Sequence, residues 1–468
     1  MYKVPQHIDK NKIFIVQRSE IEGRLEPEFY RPSIADLEKI IRGKSSHKLR
    51  DYALSVSGGA TPKKTEGDKY YADKETGVPF LRVQNLNTDG TLSFDDCLYI
   101  NKETHEGMLA RSQVSEGDLL VKITGVGRMA IASVAPEGFI GNTNQHMVVV
   151  KTGNKEKSKY LARYLNLDII EKIASRHSTG GTRPALDYPS VKNLPIIEGI
   201  DFSPIDRAIE LKKQKESEAQ QLLDSIDAYI LNELGITLPE IKTDLKSRMF
   251  LVNRSELEER LDPTVYKDGT KLISSLFEKV KLSNVAFVNP GGAYKGKPIG
   301  TSISFIPMEV IDEVYSEISS QGETTIADSS GFTKFKEGDL LWAKITPCMQ
   351  NGKSSIARDL TNGLGCGSTE FFVLRPKDER LSVEYLHVIL HLKCVRETAM
   401  LYFGGSAGQQ RVSASFLENF NLPLPSFTKQ QEIANHIYAI RQQAKQLQEE
   451  GKSILENAKK EVEQMIIG

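Results

Sequence analysis

The chain repeats itself, and the repeat limits its architecture more than composition does. Residues 14–30 read FIVQRSEIEGRLEPEFY and residues 250–266 read FLVNRSELEERLDPTVY, an offset of 236. Three more blocks recur in the same order: Glu116-Gly117-Asp118-Leu119-Leu120 with Glu337-Gly338-Asp339-Leu340-Leu341, Lys122-Ile123-Thr124 with Lys344-Ile345-Thr346, and Asn193-Leu194-Pro195 with Asn421-Leu422-Pro423. The offset drifts only between 221 and 236. Four matched blocks in register mean a duplicated half, so the chain must fold as two versions of one plan. Its 468 residues are too many for one core and fit about two to four domains of typical size.

Each half has the same layout. An opening polar helix or turn region (about 13–42 and 249–282) precedes a globule, and a long helix (about 203–234 and 427–466) closes it. Pro79-Phe80-Leu81-Arg82-Val83, Met147-Val148-Val149-Val150 and Phe371-Phe372-Val373-Leu374 are short β-rich runs bounded by turn residues. One amphipathic helix is expected in each globule, near 159–176 and 383–400. Ser203-Pro204 reads as an N-cap followed by a first-turn proline. The second closing helix carries Ile433, Ile437, Ile440, Ala444, Leu447, Gly451, Ile454 and Ala458 at alternating steps of four and three, the spacing of a coiled-coil seam. An antiparallel coiled coil between the closing helices follows, with Gly451 as its weak point or its place of close crossing. The expected fold is mixed α/β, with a pseudo-two-fold repeat. Its parts are an opening segment at 1–44, a first globule at 45–200, a central helix at 201–236, a linker and second opening segment at 237–282, a second globule at 283–425 and a C-terminal helix at 426–468.

Chemistry is hard to find. Gly291-Gly292-Ala293-Tyr294-Lys295-Gly296-Lys297 begins like a phosphate loop, but Pro298 stands where Mg²⁺ coordination needs Ser or Thr. His387, His391 and Cys394 share a helix face at i, i+4 and i+7, yet the first half replaces both histidines with Ala162 and Asn166. Phe403-Gly404-Gly405-Ser406 lacks the strand–turn–helix frame of an S-adenosylmethionine site, and Glu240-x-Lys242 sits in a linker with no partner aspartate. Cys97, Cys348, Cys366 and Cys394 form no CxxC pair, which argues against a disulfide framework and for a reducing, intracellular compartment. No apolar segment predicts a membrane span or a signal-peptide core. A duplicated chain whose halves share no acid–base or metal set reads as a binding protein without a catalytic site, a metal or a cofactor.

The stretch Phe335-Lys336-Glu337-Gly338-Asp339-Leu340-Leu341-Trp342-Ala343-Lys344-Ile345-Thr346-Pro347, then Asn351-Gly352-Lys353 and Gly367-Ser368-Thr369-Glu370-Phe371, resembles the target recognition domain of the specificity subunit of type I restriction–modification systems. Gly58-Gly59-Ala60-Thr61-Pro62, Gly141-Asn142-Thr143-Asn144-Gln145 and Gly180-Gly181-Thr182 are similar to that family in the first half, as are the Arg-Leu-acid-Pro openings at Arg24 and Arg260. The first half departs from it with Gly125-Val126-Gly127 where the second has Pro347-Cys348-Met349. The resemblance implies a non-catalytic prokaryotic cytoplasmic subunit. Each target recognition domain would read half of a split double-stranded DNA site. The subunit would bind two methyltransferase subunits and, through them, restriction/translocase subunits.

Bulk charge does not announce DNA. The net charge is −1; residues 45–200 hold 20 Lys+Arg against 18 Asp+Glu, and residues 283–425 hold 13 against 15. Contact therefore requires segregated charge or help from partners. The candidate contacts are Arg82, Gln84, Asn85, Lys122, Arg128, Asn144, Gln145 and Arg183, and in the second half Lys295, Lys344, Gln350, Lys353, Glu370, Gln409 and Arg411. Arg, Asn and Gln suit base edges and Lys suits phosphate. Ile205, Ile209, Leu222, Ile230, Leu234, Val462, Met465 and Ile466, left over beyond the seam, are expected to dock the methyltransferase, together with the segments 24–30 and 260–266. Two rival readings are a recognition subunit of a related methyltransferase or phage-defence system, and a duplicated coiled-coil scaffold with no DNA role.

Overall fold

The computed structural model describes residues 5, 8–45, 47–238, 250–252, 254, 262–269, 271–405 and 409–468. The pair Glu240 and Lys242, Arg260 and Ser406 lie outside the described residues. Contacts divide the chain into two compact units, 1–214 with 450–468, and 215–449.

Unit 1 is built on strands β1 Ser55–Gly58, β2 Val78–Leu81, β3 Leu98–Ile100, β4 Gln113–Ser115, β5 Leu119–Lys122, β6 Ala132–Val134, β7 Ile140–Thr143 and β8 Met147–Lys151. They form two sheets, ordered β1-β8-β5-β6 and β3-β2-β7-β4. Unit 2 has β9 Ala286–Val288, β10 Ser302–Ile306, β11 Gly322–Thr325, β12 Thr333–Lys336, β13 Leu340–Ala343, β14 Ser354–Ile356, β15 Leu364–Gly367 and β16 Phe371–Pro376, in sheets ordered β9-β16-β13-β14 and β11-β10-β15-β12. Strand for strand the two orders are the same. The parallel pair also recurs, β2 with β7 and β10 with β15, every other neighbour being antiparallel. The longer helices are α1 Pro32–Lys44, α2 Lys155–Leu165, α3 Asp168–His177, α4 Ser203–Glu233, α5 Val383–His391, α6 Lys393–Met400 and α7 Phe427–Ile467. Helices α4 and α7 contribute residues to both units.

Alternation on the central strands decides the layering. In β5, Leu119 and Val121 join the cluster that includes α2 and α3, while Leu120 faces the cluster of the other sheet. In β13, Leu340 and Trp342 face the helices, and Leu341 packs with Phe335 and Ile306. Apart from Lys122 at the end of β5, these strands are apolar because both faces are covered.

The repeated Glu-Gly-Asp block is a turn that carries the chain from one sheet into the other. Gly117 and Gly338 take φ of +78° and +81°, a conformation costly for residues with a Cβ. Asp118 Oδ2 accepts from Ser115 N at 2.8 Å and from Lys151 Nζ at 3.0 Å. Asp339 accepts from Lys336 N at 2.8 Å, and Arg375 donates to both its oxygens at 2.6 and 2.7 Å. The motif therefore builds the fold.

Three expectations change. The single helices near 159–176 and 383–400 are each two, because the backbone turns extended at Leu167 (ψ 145°) and Leu392 (ψ 134°) and sends both leucines into the core. Asn166 then clamps Ala132 through both its carbonyl and its amide (3.1 and 2.7 Å). The new helix starts are capped from the long helices: Glu463 of α7 accepts from Asp168 N and, at 3.2 Å, Ile169 N, and Asp227 of α4 accepts from Lys393 N at 2.9 Å. Ser203 is not the N-cap of α4. It opens the helix, its hydroxyl donates to Asp201 at 2.9 Å, and Asp201 accepts the Ser203 N–H at 2.9 Å. Finally, the apolar residues expected to face a partner mostly pack inside their own units. Ile205, Ile209, Val462 and Ile466 belong to one core, and Ile230 and Leu234 to the other, with Leu222 packed against it. Met465 alone of that set is exposed, at 63%.

On α7, Gly451 meets α4 closely. A Cβ there would stand 3.3 Å from Lys212 Cα, so glycine permits the approach. Among the described residues, no group of His, Cys, Asp or Glu could hold a metal, and no helix is long and apolar enough to cross a membrane. His387 instead pairs with Ser354 Oγ at 3.0 Å.

Candidate nucleic-acid interface

In unit 1 four loops at the ends of the strands meet. The chain leaving β1 passes so close to the β7–β8 turn that a Cβ on Gly59 would lie 1.8 Å from Thr143 O. Thr61 Oγ1 then hydrogen-bonds Gln145 Oε1. Beyond β5, Ile123 N and Thr124 N donate to His146 O at 2.9 and 3.3 Å. Gly125 N donates to Pro184 O at 3.0 Å and Leu186 N to Ile123 O at 2.8 Å, which joins the 179–186 loop to the same set. That loop is a small hairpin: Thr179 and Ala185 exchange backbone bonds of 2.9 and 2.8 Å, and Gly180 takes φ +97°. Asn144 N donates to Leu81 O at 3.2 Å, placing the end of β2 alongside.

Gln145 and Arg183 are exposed on this surface, as is Gln84. Gln84 shares Asp96 with Arg82, whose Nη2 bonds both Asp96 O (2.7 Å) and Oδ2 (3.0 Å). Three candidates face inward. Asn85, 1% exposed, caps Arg82 N at 2.7 Å and bonds Ser93 O at 3.0 Å. Asn144 accepts from His146 N at 3.1 Å and is buried. Lys122, 3% exposed, donates to Val126 O at 2.8 Å, and burial lowers its ammonium below the ordinary lysine value. Such an amine fixes the 122–126 loop. Arg128 is turned to Asp168 and Asn166 O (2.6 Å), where it braces the start of α3. Sequence reasoning passed over His146, although it directly follows Gln145. Burial and then the charge of Arg183 lower its imidazole below the usual value.

In unit 2 the corresponding loops also converge. Lys344 N donates to Glu370 O (2.9 Å), Val412 N to Lys344 O (2.9 Å) and Thr346 N to Gln410 O (3.0 Å). A Cβ on Gly367 would lie 2.0 Å from Ile306 O, so the turn before Glu370 is as tight as that after Gly59. Glu370 grips Arg411: Nε lies 3.1 and 2.9 Å from its two oxygens and Nη2 lies 2.7 Å from Oε1. That bond, ahead of burial, holds the Glu370 carboxyl below the usual range. Arg411 Nη1 donates to Gln409 O at 2.9 Å, and its side chain stays 43% exposed. Lys344 Nζ stands 5.6 Å from the Phe372 ring centroid. Gln350 bonds Thr346 at the rim of the set. Lys353 points away, to Met308 O at 3.4 Å. Lys295 is exposed on a turn that Tyr294 ties to Gly365 O at 2.7 Å. The structure thus brings together Lys344, Glu370, Gln409 and Arg411, with Gln350 beside them.

Comparison with known proteins bears on this surface. Residues 275–456 match the family model of the type I restriction modification DNA specificity domain. The EcoEI type I restriction enzyme specificity subunit of Escherichia coli is 37% identical over 164 residues, 34% of this chain and 26% of that protein. The EcoAI specificity subunit of Escherichia coli is 30% identical over 216 residues, 45% of this chain and 34% of that protein. The chain therefore spans about a quarter to a third of the curated relatives it matches. Among solved structures, a chain from work on assembly and conformational transition of the type I R-M system aligns with TM-score 0.45 and 16% identity over 90% of this chain and 95% of its own. The HsdS subunit from Thermoanaerobacter tengcongensis gives TM-score 0.32 and 14% identity over 90% and 94%. The type I S subunit from M. genitalium gives 0.35 and 11% over 89% and 95%. Residues 275–456 thus match a type I restriction modification DNA specificity domain, and the curated proteins to which part of the chain is similar are type I restriction enzyme specificity subunits.

Proposed function

We propose that this chain recognises a bipartite double-stranded DNA site on behalf of a type I restriction–modification complex, one half-site per unit, and leaves catalysis to its partners. The observation that carries the reading is the shared strand order: unit 2 holds most of the matched specificity domain, and unit 1 has the same two sheets. Each unit gathers exposed polar side chains on a hydrogen-bonded set of loops, Gln145 and Arg183 in one, Gln409 and Arg411 in the other. Arg and Gln side chains there can read base edges, while Lys344 and Lys295 suit phosphate.

The long helices suit a ruler. Residues of α4 and α7 share the core of each unit, early α4 with late α7 and late α4 with early α7, which supports an antiparallel coiled coil. Lys429 and Glu233 add an ion pair at 2.6 Å. At about 1.5 Å per residue the 31 residues of α4 run about 46 Å, against about 34 Å for one DNA turn. The proposed partners are two methyltransferase subunits and, through them, restriction/translocase subunits. Their docking surface must use exposed residues such as Met465, since Ile230 and Ile466 serve the cores.

Exchanging 45–200 for the same region of another specificity subunit, followed by mapping of methylated sites in cells, tests the reading. One half of the recognised sequence should change. A change in both halves, or in neither, would sink it. Native mass measurement should give two methyltransferases per chain.

A further inference from the structure

The repeated opening motif, Arg-Leu-Glu-Pro at Arg24, was singled out by the sequence and has no part in the reading above. In unit 1 it lies against the loop that ends in Arg183. Arg24 Nη2 donates to Ser178 O at 2.7 Å, and Ser178 is the residue between α3 and the Thr179–Ala185 ladder. The guanidinium is held on its other sides. Its Nε bonds Glu26 at 3.3 Å, and its Cζ sits 4.6 Å over the Phe29 ring. Arg176 covers the same ring at 4.4 Å, donates to Phe29 O at 2.6 Å and pairs with Glu38 of α1 at 2.5 Å. Glu38 also meets His177 at 2.8 Å. Tyr30 Oη closes the turn by donating to Arg24 O at 2.8 Å and accepting from Glu22 N at 2.9 Å.

Among the described residues, the 180–183 tip is otherwise held by its own ladder and by strand-like bonds to 123–125, and Gly180 and Gly181 give it little stiffness of its own. We infer that Arg24 is a positioning residue for the reading loop: through Ser178 O it sets where the 179–185 hairpin, and therefore Arg183, stands over the DNA. The inference rests on the reading of unit 1 as a DNA-recognition module. The opening segment then belongs to the recognition apparatus of its own unit, whatever else binds its exposed face.

The test uses the full chain and a duplex DNA library of random sequence, with Arg24→Met and Arg24→Lys beside the unaltered protein. Arg24→Met keeps the length of the side chain and removes the bond and the charge. Discrimination at the base positions that Arg183→Ala identifies should fall about tenfold, the scale of one lost base contact, with the other half-site still selected as before. Arg24→Lys, which can still donate to Ser178 O, should recover much of the loss. Amide exchange at Thr179 and Ala185 should quicken in Arg24→Met without DNA, while β5 and β8 stay protected. Unchanged discrimination and exchange, or an equal loss at both half-sites, would overturn the inference. An unaltered protein that selects no sequence would instead bring down the recognition reading on which it rests.

Discussion

Unit 2 should be acid-sensitive well above the range in which carboxylates titrate. His387 and His391 stand one turn apart on α5, with ring centroids 6.1 Å apart. His387 is 6% exposed and pairs with Ser354 Oγ. The charged groups that bear on the two rings are Arg441 from α7, Arg396 from α6 and Arg358 from the loop after β14. Burial first, and then Arg441, push the His387 imidazole down to about 3, and His391 moves the same way. In the unfolded chain both return to an ordinary value near 6.5. Below that pH the unfolded state binds protons that the folded state refuses. Stability is therefore full above about pH 6.5 and falls as the pH drops toward about 3. At about 1.4 kcal/mol per pH unit, His387 alone removes about 2 kcal/mol by pH 5, and His391 adds to the loss. Ordinary carboxylates titrate below about pH 4.3, so the window from 6.5 to 5 isolates the imidazoles. The chain's single tryptophan, Trp342, lies in the core of this unit and reports its unfolding. Urea titrations followed by Trp342 fluorescence at pH 7, 6 and 5 should show the unfolding free energy falling. His387→Gln, which can keep the Ser354 bond, should remove its share of the slope, and the double change with His391→Gln should flatten it. A flat profile in the unaltered chain, or an undiminished slope in the double variant, would refute the reasoning.

Four further outcomes can be checked. In unit 1, burial raises the Glu38 carboxyl, but the bond and charge of His177, the bond of Arg176 and the charge of Arg42 win and lower it to about 2. That stabilisation, about 3 kcal/mol, is present above about pH 4.5 and lost toward pH 2, so Glu38→Gln should speed amide exchange in α1 and α3 at pH 7 and converge with the unaltered chain in acid. Asp339→Asn breaks the pair between fully buried Asp339 and partly buried Arg375 and should cost about 3 kcal/mol in the Trp342-detected transition. Gly451→Ala sets a helix-propensity gain of about 1 kcal/mol against a Cβ 3.3 Å from Lys212 Cα, so its melting temperature should hardly move, whereas Gly451→Leu should lower it clearly. Lys122→Met should leave the salt dependence of DNA binding unchanged, since Lys122 Nζ is spent on Val126 O, while Arg183→Ala should weaken binding or loosen sequence choice.

The repeat blocks were readable because they encode backbone. Gly117 and Gly338 must adopt positive φ, and Asp118 and Asp339 must close the same turn, so the residues recur wherever the turn recurs. The apolar runs of β8 and β16 were equally open to reading, since both faces of each strand need apolar cover. The candidate surface was harder. A polar residue in a loop looks the same whether it serves the backbone, as Asn85 and Asn144 do, or faces solvent, as Gln145 and Gln409 do. Helix periodicity likewise runs unbroken across Leu167 and Leu392, because a buried leucine suits a helix and a turn alike. The leftover apolar stripe on α4 and α7 failed as a docking signal for a related reason: it had two globules of its own to cover.

The caps on α3 and α6 have a consequence for how such a chain could arise and be divided. Asp227 and Glu463 are 236 residues apart, the offset of the opening repeat. Yet Glu463, from the second half of the sequence, serves Asp168 in the first, and Asp227, from the first half, serves Lys393 in the second. Each half lends the finishing residue that the other lacks. A polypeptide of half this length would be left with an uncapped helix start and a spare acidic residue, and two such polypeptides would satisfy one another by reciprocal exchange. Cutting the chain within 239–249 should therefore yield two fragments that are each incomplete alone and that reassemble when mixed.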